Sequence, residues 1–67
     1  MIVDGAGLHA ARKALGLSCN ELAAALRLSG DKGGQAVREM ESGRRSLTGP
    51  IAVAVELMLL ELERRRA

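Results

Sequence analysis

The sequence predicts an all-α fold of four to five short helices, built as a single domain over residues 1–67. Two observations carry this. Apolar residues recur at three- and four-residue spacing through most of the chain, and helix-capping and helix-stopping residues punctuate that rhythm at short intervals. Strand formers are scarce as well: the chain has no Phe, Tyr or Trp, and residues 18–28 contain neither Val nor Ile.

Asp4 is placed to cap a first helix running to Leu15, with Val3 and Leu8 at the two positions of a hydrophobic staple. Gly5 and Gly7 weaken its start, Leu8, Ala11 and Leu15 form its apolar stripe, and Gly16 supplies a left-handed stop. Ser18-Cys19-Asn20-Glu21 is a capping box that opens a second helix over about residues 18–28, with Cys19, Leu22, Ala23 and Leu26 on one face. A third helix is expected over about residues 34–42, ended by Gly43. Thr48-Gly49-Pro50 then starts a closing helix of about residues 50–65, where proline is tolerated in the first turn.

The closing helix is apolar on two sides. Ile51, Val55, Met58 and Leu62 form one stripe, and Val53, Leu57 and Leu60 form another about half a turn away. Either both stripes enter the core of so small a fold, or one closes the core and the other meets a second subunit. The second outcome is the expectation, with Val53, Leu57 and Leu60 as a homodimer interface, because exposed apolar stripes usually mark interfaces. Size points the same way: a domain near 60 residues buries only about 60% of its unfolded surface. One cysteine makes no internal disulfide, and one histidine beside it makes no metal-ligand set, so oligomerisation is the remaining staple.

Composition narrows the function. Met1-Ile2-Val3 is too short for a signal peptide, and charges interrupt every apolar run before membrane-spanning length, so a cytoplasmic protein without membrane contact is expected. The net charge is only +2, but Arg27, Lys32, Arg38, Arg44 and Arg45 fall in one region. The absence of aromatic residues removes the stacking platforms used on single strands and favours duplex DNA as the polyanion. Arg64 to Arg66, preceded by Glu56, Glu61 and Glu63, match the helix dipole and read as a solvated helix end. No cofactor or small-molecule ligand is indicated, and no catalysis is expected, since His9 has no partner at triad or ligand spacing and reads as an exposed side chain.

The stretch SGDKGGQAVREM, residues 29–40, packs three glycines and a lysine into six positions. It is not a phosphate-cradling nucleotide loop: Lys32 precedes the glycine pair, no Ser or Thr follows it, and no strand leads in. A dinucleotide fingerprint fails on spacing. What remains is a turn between two helices, in the order of a helix-turn-helix. On the helix that follows, steps of 100° put Val37 and Met40 on one side and Gln35, Arg38, Glu39 and Ser42 on the other. Such an outward face either meets something polar or is simply solvated.

Taken together, Leu8-His9-Ala10-Ala11-Arg12, Gly16-Leu17-Ser18-Cys19-Asn20-Glu21-Leu22-Ala23 and Glu39-Met40-Glu41-Ser42-Gly43-Arg44-Arg45 resemble the Cro/C1, or XRE-type, helix-turn-helix family of lambda-repressor-like DNA-binding domains. The resemblance covers about Leu8 to Leu60, and Gly49 to Leu57 is similar to the closing helix of many members. It implies a structural ion pair between Arg12 and Glu41 that joins the first helix to the end of the recognition helix. It also implies base contacts from Gln35, Arg38, Glu39 and Ser42, with Arg38 able to pair with guanine and Gln35 with adenine. A phosphate contact is the competing role for Arg38. Arg44 and Arg45 suit phosphate oxygens.

Two departures from the family pattern stand out. Cys19 occupies a position where Gln is usual, and reads as a small packed residue or, at a helix N-terminus, a reactive thiol. The turn before the recognition helix is about four residues longer than usual, so Lys32 and the amides of Gly33 and Gly34 either bind backbone phosphate or form a loose loop tip. The expectation is a sequence-specific double-stranded DNA-binding transcriptional regulator, a repressor acting as a homodimer on a palindromic operator, since 67 residues leave no room for a sensor domain. The alternative is a protein-interaction module, antitoxin-like or a phage accessory domain, with vestigial DNA contact.

Overall fold

Local chemical signals set the starts of the first two helices and the ends of the first and third. The computed structural model of the chain describes residues 2, 4–28 and 32–66, and among these it has four α-helices and no strand: α1 (Gly5–Leu15), α2 (Cys19–Ala25), α3 (Gly33–Ser42) and α4 (Gly49–Arg66). The Asp4 carboxylate accepts from the Gly7 amide at 2.8 Å and caps α1. Its expected staple with Val3 lies outside the described residues. The Ser18 hydroxyl accepts from the Glu21 amide at 3.0 Å while the Glu21 carboxylate accepts from the Ser18 amide at 2.8 Å, closing the capping box of α2.

Three helices stop in the same way. At the end of α1 the amides of Gly16 and Leu17 donate to Lys13 and Arg12. At the end of α2 those of Arg27 and Leu28 donate to Ala24 and Ala23, and at the end of α3 those of Gly43 and Arg44 donate to Met40 and Glu39. This is the paired bonding of a Schellman end, which requires a left-handed residue at its turn. Gly16 (φ 72°) and Gly43 (φ 86°) adopt it freely, and Arg27 (φ 61°) adopts it without that freedom. Helix two was expected to reach residue 28, but this reversal ends it at Ala25, even though Leu26 and Leu28 continue the apolar rhythm.

The core consists of Ile2, Leu8, Ala11, Leu22, Ala23, Val37, Met40 and Val55, with no buried polar side chain among the described residues. Helix α3 packs on α2 and α1, and α1 packs on α4. Each expected inner stripe supplies at least one fully covered residue: Leu8, Leu22, Val37 and Val55 are all at 0% exposure. The second stripe of α4 does not enter the core. Val53, Leu57 and Leu60 stand 53%, 59% and 47% exposed, which excludes the outcome in which a single copy buries both stripes.

Close backbone approach explains glycines that looked like helix weakeners. A Cβ on Gly5 would sit 2.5 Å from the Glu41 carbonyl oxygen and nearer still to that of Met40, so the start of α1 lies directly on the end of α3. Gly33 and Gly34 belong to the first turn of α3, are buried, and face α2. A Cβ on Gly33 would be 3.0 Å from the Ala23 Cβ, and one on Gly34 would run into the Asn20 side chain. The third helix therefore starts at Gly33, one residue earlier than expected. The middle of the turn, residues 29–31, lies outside the described residues.

Candidate nucleic-acid interface

With Val37 and Met40 buried beneath it, α3 turns Gln35, Arg38 and Ser42 to solvent and leaves Glu39 half-buried at the edge. These four line one shallow open depression together with Arg44. Arg38 and Ser42 also border a neighbouring depression shared with His9, Arg12, Cys19 and Glu41. Gln35, Arg38, Glu39 and Ser42, the predicted base-contact residues, thus share one surface with Arg44, a predicted phosphate contact. Half-buried Cys19 lies at its margin, where the first turn of α2 reaches it.

The hydrogen bonds separate these residues into engaged and unengaged groups. Arg45 donates to Glu39 Oε1 through Nη2 at 3.0 Å and Nε at 3.3 Å, a fork across the Gly43 reversal. The Ser42 hydroxyl donates to the Glu39 carbonyl at 3.1 Å, so its proton is used within the helix while its lone pairs stay open. Gln35, Arg38, Arg44 and Lys32 are exposed and make no side-chain hydrogen bond or ion pair among the described residues. Helical spacing rules do not reach the Glu39–Arg45 pair, because its members lie six residues apart on opposite sides of a turn.

Gly33 and Gly34 were expected either to offer amides to phosphate or to form a loose tip; they form no loose tip but the buried first turn of α3 where it crosses α2, and their lack of a side chain is what permits that crossing. Lys32, the residue preceding the helix, remains exposed at this end, and no side chain caps it.

Behind the outer face of α3, Arg12 Nε donates to Glu41 Oε2 at 2.6 Å and Nη2 donates to Oε1 at 3.2 Å, a two-point pairing of α1 with the last turn of α3. The side chains are 11% and 10% exposed, and Arg12 Nη1 also donates to the Leu17 carbonyl at 3.0 Å. Burial pushes the Glu41 carboxyl upward, but the hydrogen bonds from Arg12 and His9, with their charges, outweigh it and hold the group below its ordinary value. The bond to Glu41 raises the Arg12 guanidinium in turn, against its own burial.

His9 was read as an exposed histidine without a partner. Its side chain is half-exposed, yet Nδ1 lies 2.8 Å from Glu41 Oε1 and 3.2 Å from Arg12 Nη2. The spacing of His9 and Arg12, three apart on one helix, was the available signal, since any carboxylate reaching one meets the other. Among the described residues no group of three His, Cys, Asp or Glu side chains has a metal-binding arrangement. No helix of the described residues is long and apolar enough to cross a membrane.

Compared with family models, with curated proteins and with solved structures, the chain matches none. A functional reading therefore stands on the residues and their geometry.

Proposed function

We propose that the protein is a sequence-specific double-stranded DNA-binding regulator of the lambda-repressor-like helix-turn-helix kind, with α2 and α3 as the motif and α3 as the recognition helix. The observation that carries this reading is the outer face of α3: Gln35 and Arg38 stand exposed and, among the described residues, unpaired, one helical turn apart, directly above the buried Val37 and Met40. An amide and a guanidinium in that arrangement can each make two hydrogen bonds to a base edge, worth about 1 to 3 kcal/mol of discrimination apiece. Lys32 before the helix and Arg44 after it supply phosphate contacts at its two ends, while Arg45 is held by Glu39 and reaches phosphate only where that fork is broken.

In this reading the protein represses by occupying a promoter as a homodimer on a palindromic operator, its two recognition helices entering major grooves about 34 Å apart. The exposed stripe Val53, Leu57 and Leu60 is where a second copy would dock. The same stripe also favours a second reading, a protein-interaction module whose DNA contact is vestigial.

Fluorescence anisotropy against duplex DNA from upstream of the protein's own gene distinguishes the two. A regulator binds with an affinity that falls steeply as salt rises, by counterion release. Arg38→Ala should flatten the difference between operator and unrelated duplex, while Arg44→Ala should weaken both alike. Absence of binding to any duplex at low salt would refute the DNA reading and leave the interaction module.

A further inference from the structure

On α4, Val53, Leu57, Leu60 and Arg64 fall within an arc of about 60°, given 100° per residue, and form one ridge about 16 Å long. The ridge runs between two shallow grooves whose linings are mostly apolar, with Glu61 and Arg65 in one and Glu56 and Glu63 in the other. Leu57 forms part of one, with Leu15, Leu17 and Met58; Leu60 forms part of the other, with Ile2 and Leu59. A ridge beside grooves on one surface is self-complementary, as an isologous contact between two copies requires.

Charge then selects the direction. The residues flanking the ridge include three glutamates, Glu56 and Glu63 on one side and Glu61 on the other, while Arg64 lies on the ridge and makes no ion pair among the described residues. With two parallel copies, Arg64 would meet Arg64, and Glu56 would approach Glu61 of the second copy: like charge against like at each point. With two antiparallel copies crossing between Leu57 and Leu60, Leu57 meets Leu60 of the second copy and Arg64 lies opposite its Val53. Helical side chains lean towards their own N-terminus, so Arg64 leans towards the crossing point and reaches Glu56 of the second copy, whose Oε1 accepts from the Ile2 amide of its own chain at 2.6 Å and whose Oε2 is left for the guanidinium. Its guanidinium then stands between that carboxylate and the neighbouring Glu63 of its own chain, which would otherwise repel each other.

We propose that α4 pairs with α4 of a second copy in antiparallel order, with Leu57 and Leu60 at the centre and an Arg64–Glu56 ion pair at each end. This rests on the reading that the exposed stripe meets a second copy, and does not depend on DNA.

Sedimentation velocity and disulfide trapping test the two layers separately. Wild type should sediment as a dimer, and Leu57→Glu as a monomer. Arg64→Glu should raise the dimer dissociation constant about tenfold, and adding Glu56→Arg should recover most of that loss, because both end pairs are rebuilt with their signs exchanged. In a Cys19→Ser background, Val53→Cys protein should form no disulfide-linked dimer alone but should link to Arg64→Cys protein. A monomeric wild type at the highest soluble concentration would overturn the second-copy reading and the pairing with it. A dimer in which Val53→Cys links to itself, or in which Val53→Cys protein fails to link to Arg64→Cys protein, would overturn the antiparallel order alone.

Discussion

At Glu41 two opposing effects meet, and their balance can be measured. Burial raises the carboxyl, the bonds from Arg12 and His9 lower it more, and the net is a group held below its ordinary value of 4.5. A depressed acid contributes stability that is fully present above its unfolded value and is lost as pH falls through the folded one. Stability should therefore decline below about pH 4.5, and Glu41→Gln should remove this part of the acid limb while leaving Arg12 covered and unneutralised. At neutral pH the cost should be about 3 kcal/mol by urea denaturation, a large share of what a small domain has. His9 adds a constraint of its own, because Nδ1 faces both Glu41 Oε1 and the Arg12 donor. With a proton on Nδ1 it donates to the carboxylate; without one it can only accept from the arginine.

At the scale of helices, the glycines decide more than their propensity suggests. Helix propensity alone favours Gly5→Ala by about 1 kcal/mol. The added methyl would collide with the backbone carbonyls of Met40 and Glu41, which cannot rotate aside, and overpacking of this kind costs about 1 to 3 kcal/mol. The variant should therefore melt lower than wild type, against propensity. Arg27→Gly should do the opposite: relief of a left-handed arginine outweighs the added unfolded-state freedom of glycine by about 0.5 to 1 kcal/mol, read as a rise in Tm. The caps of α1 and α2, the stops at Gly16 and Gly43 and the inward stripes were legible in the sequence, because each depends on residues within a turn of one another. The end of α2 was not, since an arginine carries no sign that it will take a glycine's conformation. Nor were the roles of Gly5, Gly33 and Gly34, which are set by helices that meet them only after folding. On the outer face, the exposure of Gln35 and Arg38 followed from helical angles, whereas the Glu39–Arg45 fork depended on the path of the chain after Gly43.

For the molecule as a whole, the charge presented to a polyanion is smaller than its arginine count implies. Arg12 is neutralised by Glu41 and Arg45 by Glu39; of the cations that the proposed reading puts on phosphate, Lys32 and Arg44 make no ion pair among the described residues. If the protein binds duplex DNA as proposed, two phosphate contacts per chain should give a slope of log affinity against log salt of about −1.8, or about −3.6 for a dimer. Glu39→Gln should release Arg45 and steepen the slope by about 0.9 per chain, checked by anisotropy on non-operator duplex. The Arg12–Glu41 pairing also carries a consequence for how the fold is reached. Its members lie 29 positions apart, whereas α2 and α3 adjoin along the chain, so the α2–α3 pair can form before the long loop closes. On that order the clamp is expected to form after the folding barrier. In stopped-flow measurements Glu41→Gln should speed unfolding by roughly the whole of its equilibrium cost and barely slow folding. The pairing would act as a latch on the finished structure, governing how long α1 stays seated on α3 rather than how quickly it arrives.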